Sequence, residues 1–374
     1  MSVVKFSEVA HRANTKEDRF NTDKIYYVGG EHIEPGELFI HDKGFIKGST
    51  IGPMFYCGFK SGQILFVTRN PHLRKCSVAE FDGICSEKTF VIETIDKRIL
   101  LQEYLASVML SDDFWNYCEE NKSGGVNYFL NWSTLADYEF ELPSVEEQKA
   151  ISDKVWAAYR LKESYKKLLA ATEEMVKSQF IEMFGGDKWI KKCLGEVGTF
   201  KRGGGFQKSD YVEHGIPCIH YGQIHTKFGP FISSHITEIS LDLEVKTKFA
   251  SKGDLIIAIT SEDAEGSCKS TAWLGDYPVA VGGHAAIFNH SMNPLYMTYF
   301  FKSAMFNHAK MEYVHGTKVV EMRPDDIAKI SIPYPPMSLQ EQFSAIAQQA
   351  DKSGFELRKS IDAIDAVIKS LINS

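Results

Sequence analysis

The chain says part of itself twice. Residues 138–184 and 330–374 each begin with a short alternating strand, pass a proline, give a Glu-Gln pair and run into a long helix ending near a Lys-Ser pair. The Glu-Gln pairs are Glu147-Gln148 and Glu341-Gln342; the Lys-Ser pairs are Lys177-Ser178 and Lys369-Ser370. Self-similarity at so long a period marks duplication of a whole unit, not a solenoid of small repeats. It limits the fold to two related heads on two related helices, an arrangement suited to gripping something twice.

The remainder aligns in the same order. Phe6–Val9 pairs with Leu194–Val197, Gly62–Phe66 with Gly253–Ile257, Gly124 with Gly316, and Leu135 with Ile327. A helical pattern over Ile99–Asn121, with Leu101, Tyr104, Leu105, Val108 and Met109 on one side, matches Leu295–Lys310. Glycines at 29, 30, 36, 44, 48, 52, 58 and 62 punctuate the first head, as short strands joined by tight turns require. Gln63–Val67 and Phe90–Ile92 read as buried strands. The predicted fold is α+β: two similar mixed α/β heads, residues 1–143 and 186–336, joined by long helices over 144–185 and 337–374.

Each helix has a start signal. Ser144 and Ser338 stand three residues before Glu147 and Glu341, the spacing of a capping box. In the second helix Ala347, Ala350, Gly354, Leu357, Ile361, Ile364, Ile368 and Leu371 alternate steps of three and four, which is a coiled-coil seam. The equivalent register in the first gives Ala158, Lys162, Tyr165, Leu169, Thr172, Val176 and Gln179. Two rods of roughly 50–60 Å are expected to pack antiparallel, placing the heads at opposite ends.

Composition sets limits. No apolar run approaches a membrane span, and the N-terminus lacks a signal-peptide core, so a cytoplasmic protein without a membrane partner is expected. The seven cysteines include no Cys-x-x-Cys and read as scattered buried thiols in a reducing compartment. A net charge of −7 argues against a simple nucleic-acid binder, so any DNA contact must rely on local positive charge.

The layout resembles the specificity subunit of type I restriction-modification systems. The resemblance rests on the two strand–Pro–Glu-Gln–helix segments, with Gly205, Phe206, Ser209, Asp210, Tyr211, Gly215 and Pro217, then Gly253-Asp254-Leu255, then Gly316-Thr317. It implies a non-catalytic chain whose heads are target recognition domains, each reading half of a split DNA sequence. The helices then set the gap between halves and dock two methyltransferase subunits, with restriction/translocase subunits as further partners. S-adenosylmethionine and ATP belong to those partners, and this chain is expected to hold no cofactor. The first head departs from the pattern: Ser7 replaces the glycine at Gly195, and the Phe206–Tyr211 segment has no clear counterpart.

Within that resemblance, Arg69, Arg74 and Lys75, with His72, cluster after a strand, and Lys201, Arg202 and Lys208 flank Gly203-Gly204-Gly205. Such cations neutralise phosphates. Side chains with paired donors and acceptors read bases, and Thr68, Arg69, Gln207, Tyr221, Gln223 and Lys269 are the candidates. Partner docking falls to the helix seam, with Leu169, Val176, Leu357, Ile361, Ile364 and Ile368 as its markers.

Other chemistries lack their residues. The glycine run has no Gly-Lys-Ser/Thr ending and reads as a flexible turn or hairpin. Asp137, Glu147 and Lys149 imitate a nuclease set, but Glu147 sits at a capping position. Pro333–Pro336 has the wrong order for an adenine-methyltransferase loop and reads as a stiff turn. No histidine pairing supports zinc, and nothing points to a Ser-His-Asp triad. The competing reading is a scaffold that assembles proteins through its helices, which the negative charge favours.

Overall fold

The fold is described by a computed structural model over residues 2–314 and 320–373. Gly316 and Thr317 lie outside the described residues. The chain divides into two compact units, Met1–Lys167 with Arg358–Ser374 and Leu168–Leu357. The long helices span Val145–Phe184 and Met337–Ile372, so both divisions fall inside a helix and each unit holds one head with part of each rod.

In the first unit Ser2–Lys5 pairs antiparallel with Glu139–Leu142, just before the helix begins. One four-stranded sheet runs Ala10–Arg12, Thr89–Thr94, Ile64–Val67, Cys76–Val78; the other runs Gly44–Phe45, Tyr26–Val28, Gly83–Ser86, Phe55–Phe59. The second unit repeats both orders. Lys191–Cys193 pairs with Ser331–Pro333. Its first sheet runs Gly198–Arg202, Ala285–His290, Leu255–Ala258, Ser270–Trp273 and adds Phe231–Ile232 at the edge. Its second runs Thr237–Ile239, Ile216–Ile219, Val279–Val281, Lys248–Ala250, with Tyr211–Val212 outside Thr237–Ile239.

The duplication extends to local devices. Glu8 accepts the Lys5 backbone N–H at 3.0 Å, and Glu196 accepts that of Cys193 at 2.6 Å, capping the two equivalent short helices. Gly62 and Gly253 both have left-handed φ, 90° and 96°, two residues before the central strand of each head. A side chain would strain that turn.

Two corrections concern helices. The pattern over Ile99–Asn121 is two helices, Gln102–Leu110 and Asp112–Glu120, broken at Ser111, whose Oγ accepts the Phe114 N–H. The second head is broken likewise at Ser303, which caps Ala304–Lys310 through the Phe306 N–H. Apolar spacing runs across such a break unseen. Ser144 and Glu147 form the expected capping box, with bonds of 3.0 and 3.3 Å. Ser338 does not cap, because the second helix already begins at Met337. There Pro336 O accepts the Leu339 and Gln340 N–H groups. The counterpart of Gln148 is therefore Gln340, not the exposed Gln342.

Within each unit the rods run antiparallel. In the first, Lys162 Nζ meets Asp365 Oδ1 at 2.6 Å, while Val155 and Tyr159, earlier on the first helix, share a core with Ile368, later on the second. In the second unit Phe180 and Phe184 pack on Phe343, with ring centroids 5.2 and 5.7 Å apart, and Val176 shares a core with Ala347 and Ala350. All the seam residues are buried or half-buried: Lys162, Val176, Ala347, Ala350, Gly354 and Ile368 fully, and Ala158, Tyr165, Leu169, Thr172, Gln179, Leu357, Ile361, Ile364 and Leu371 in part.

Candidate nucleic-acid interface

Strand register relates the two heads residue by residue. Phe66 lies opposite Cys76 in the first, and Ile257 opposite Ser270 in the second. Lys75 and Lys269, each one residue before those partners, thus hold equivalent positions. The same registers equate Arg69 with Thr260.

In the second head, helix Tyr221–Thr226 follows the strand Ile216–Ile219 and carries Tyr221 at its first position. The Tyr221 ring lies 5.2 Å from His284 and 6.0 Å from His225, centroid to centroid. His225 Nε2 is 3.0 Å from Thr260 O, and Thr260 Oγ1 is 3.1 Å from His284 Nδ1. Tyr221, His225, Thr260, Asp263 and Lys269 line a hollow of about 510 Å³. A neighbouring hollow of about 530 Å³ shares His225, Asp263 and Lys269 and reaches Lys177, Lys302 and Asn307. The structure thus brings Tyr221 and Lys269 together. An aromatic face beside an ammonium can stack on a base while donating to its edge.

The other candidates in this head divide. Lys201 and Arg202 are exposed on the edge strand Gly198–Arg202. Arg202 is partly committed, donating to Gly283 O at 2.9 Å and pairing with Glu321 at 3.0 Å. Gln207 and Lys208 are exposed at a short turn that Asp210 pins by accepting the Gln207 N–H. Gln223 is a correction: it is buried, accepting from His220 N and donating to Thr237 Oγ1, both at 3.0 Å. Its amide is consumed by the fold, a use that residue type alone does not reveal. The start of the glycine run is also held by the fold, with Gly203 N donating to Ala285 O and Gly204 N to Val281 O. A Cβ on Gly203 would collide with Gly282 O and one on Gly204 would crowd Lys246 O, so these two glycines allow backbone to pack on backbone, while Gly205 is exposed in open space.

In the first head Thr68 is buried and its hydroxyl donates to Lys88 O at 2.8 Å, which removes it as a base contact. Arg69 lies 5.0 Å over the Phe129 ring. Arg74 pairs with Asp112 at 2.6 Å, and Lys75 donates to Gly30 O at 2.5 Å. Sequence reasoning missed two further pairings of cation and ring: half-buried Arg19 over exposed Phe20 at 4.2 Å, and Lys122 over Tyr128, both half-buried, at 4.5 Å. The adjacency of Arg19 and Phe20 was the available signal for the first.

One group of candidate metal ligands occurs among the described residues, Glu37, His41 and Glu163. Glu37 Oε1 already receives Lys162 at 2.8 Å and Lys166 at 2.9 Å, so ammonium groups stand where a cation would. Burial alone would raise the Glu37 pKa, but those two hydrogen bonds hold it below the ordinary value. This donor set does not fit a metal. Burial lowers the pKa of His220, and that of His290 to about 4, so both are neutral near pH 7. No helix is long and apolar enough to cross a membrane among the described residues.

Residues 186–364 match the family model of the type I restriction modification DNA specificity domain. Over 193 residues the chain is 26% identical to the specificity subunit of the type I restriction enzyme EcoDI of Escherichia coli, a match covering 50% of this chain and 42% of that relative. The chain thus matches less than half the length of that relative. Two solved structures share the fold at a TM-score of 0.58. One, described as the structural basis of complex assembly and conformational transition of the type I R-M system, is 20% identical and covers 99% of this chain and 96% of its own. The other, a type I restriction-modification S subunit from M. genitalium, is 12% identical and covers 99% and 94%.

Proposed function

We propose that the chain, whose residues 186–364 match the type I restriction modification DNA specificity domain, is a type I specificity subunit in which each head reads one half of a bipartite double-stranded DNA target. The observation that carries the reading is the duplication itself. Two heads share one strand order, yet equivalent surface positions hold different chemistry, as in Arg69 against Thr260. One scaffold with two side-chain sets is what an asymmetric split target needs.

The paired helices then set the spacing and dock the methyltransferase subunits. The seam itself is occupied by the two helices, so docking falls to other faces. On the first long helix Leu161, Leu168 and Met175 recur at seven-residue spacing and are 45%, 52% and 50% exposed. That is a second heptad stripe suited to a partner helix. Methyl transfer from S-adenosylmethionine to adenine, and any ATP-driven cleavage, take place on the partners.

The test is long-read methylation sequencing of cells expressing this chain with its modification subunits. A split adenine motif that vanishes when the chain is removed is expected. An unchanged methylome, with the partner folded and active, returns the chain to the scaffold reading that its net charge of −7 favours.

A further inference from the structure

The non-glycine residues with positive φ among the described residues are Asn70 (52°), Arg74 (50°) and Cys268 (63°). All three lie in one equivalent place. Asn70 and Arg74 belong to the connection between strands Ile64–Val67 and Cys76–Val78, and Cys268 to that between Leu255–Ala258 and Ser270–Trp273. In each head a left-handed residue immediately precedes the equivalent lysine, Arg74 before Lys75 and Cys268 before Lys269. Left-handed backbone is unfavourable for residues with a side chain, so surrounding structure must hold it.

Each connection is held by a dedicated device. In the second head Lys310 is 1% exposed, and its Nζ donates to Glu265 O and Ser267 O, both at 2.8 Å. Ser267 Oγ donates to Ala264 O, and Asp263 accepts the Gly266 N–H. In the first head Arg74 is tied to Asp112 at 2.6 Å, while Asn70 N donates to Tyr128 O at 2.9 Å. Burying an ammonium only to clasp a surface loop is a costly way to keep a loop that has no task.

The exposed chemistry of the loops indicates what they touch. The second presents Glu262, Asp263 and Glu265 with Lys269. Three carboxylates against one ammonium have the wrong sign for phosphate. They do have the right mixture for base edges, since cytosine offers an amine donor and guanine offers acceptors in the major groove. The first loop presents His72 with the partly exposed Arg69 and Arg74, a donor set. Resting on the DNA-recognition reading above, we infer that these two connections are the base-reading segments of the heads, residues 69–75 for one half-site and 260–269 for the other.

The test uses the full chain with its modification subunits and reads the methylated motif. The variants are Glu262→Ala with Lys269→Ala in one chain, and Arg69→Ala with His72→Ala in another. Each pair is expected to lower discrimination about tenfold or more at positions of one half-site and to leave the other half intact, the two variants affecting opposite halves. A motif unchanged in both variants overturns the inference, as does equal fading of both halves. The parent chain separates the two ideas: if it gives no split motif, the DNA reading fails and takes this inference with it. A parent motif indifferent to the variants sinks the loop assignment alone.

Discussion

Gln148 accepts the Leu101 backbone N–H through Oε1 at 2.9 Å and donates through Nε2 to Ile99 O and Pro143 O, at 2.9 and 3.0 Å. The second half repeats the arrangement: Gln340 accepts from Asn293 N at 2.9 Å and donates to Pro335 O at 2.9 Å. Both side chains are buried. The base of each long helix is thereby fastened to the segment leading into the paired short helices of its own head, which fixes the angle at which rod and head meet.

Replacing Gln148 with leucine keeps the volume and abandons three backbone groups. At roughly 1–3 kcal/mol per buried orphan, with some regained by water, a loss of about 3 kcal/mol is expected. Gln340→Leu should cost less because it makes fewer bonds. Exposed Gln342 is the control, and its substitution should leave the urea midpoint unmoved. Equal effects at Gln340 and Gln342 would contradict the equivalence of Gln340 with Gln148.

The sequence made the duplication legible, because strand–proline–helix order and heptad spacing survive divergence. It misplaced the register at the second helix, where Glu341-Gln342 imitates Glu147-Gln148 and only the hydrogen bonds of Gln340 reveal the true counterpart. Among the candidate interface residues, type and neighbourhood pointed to Tyr221 and Lys269, which share a hollow. The same reasoning included Thr68 and Gln223, whose polar groups are spent inside the fold. A polar side chain looks alike in sequence whether it faces water or a buried backbone carbonyl. Cys57 and Cys193 are likewise half-buried, not buried as their type suggested.

The first unit carries a buried charge cluster with no match at the equivalent place in the second. Lys162 joins Glu37 and Asp365 at 2.8 and 2.6 Å, whereas Gly354 occupies the corresponding helix position. Lys162→Met strips Glu37 of one of its two partners and is expected to cost about 3–5 kcal/mol. Adding Glu37→Leu should recover part of that loss, measured as a double-mutant cycle by urea unfolding. Strict additivity of the two substitutions would show that the pair is not coupled.

That cluster also sets a pH dependence. The folded Glu37 pKa is lowered, so its contribution is present above the ordinary value of 4.5 and lost as pH falls through the folded value. Burial would depress the Lys162 pKa, but the hydrogen bonds its ammonium donates to Asp365 and Glu37 raise it above 10.5. Its contribution is full below that value and lost as pH rises through the folded one. Thermal midpoints should therefore drop on the acid side less steeply in the Glu37→Leu, Lys162→Met chain than in the parent.

Exposed lysines offer a separate test of the DNA reading. Lys201→Ala and Lys208→Ala should each weaken binding to duplex DNA and reduce the slope of log K against log salt by about 0.9 for every phosphate left without its lysine. The recognised motif should stay as it is, since phosphate contacts carry no sequence information. A slope unaffected by both substitutions would move the phosphate track elsewhere on the head.

The cysteines sit in sharply different surroundings. Cys57 lies opposite Cys85 in the strand register. A hydrogen bond from Cys85 stabilises its thiolate; Arg12 adds to this against the cost of burial, and the Cys57 pKa falls to about 7. Cys85 moves the opposite way, because its thiol gives that hydrogen bond and is buried. Burial also raises Cys268, to about 12, and pushes Cys76 and Cys118 well above the usual thiol range. Since the thiolate is the nucleophile, iodoacetamide should label Cys57 first in the folded chain, at a rate climbing through pH 7. Cys85→Ser should slow that labelling near neutrality, as a hydroxyl replaces the thiol facing Cys57. If mass spectrometry found Cys268 or Cys118 modified as early as Cys57, the hydrogen bond between the two facing thiols could not be controlling the chemistry of this strand pair.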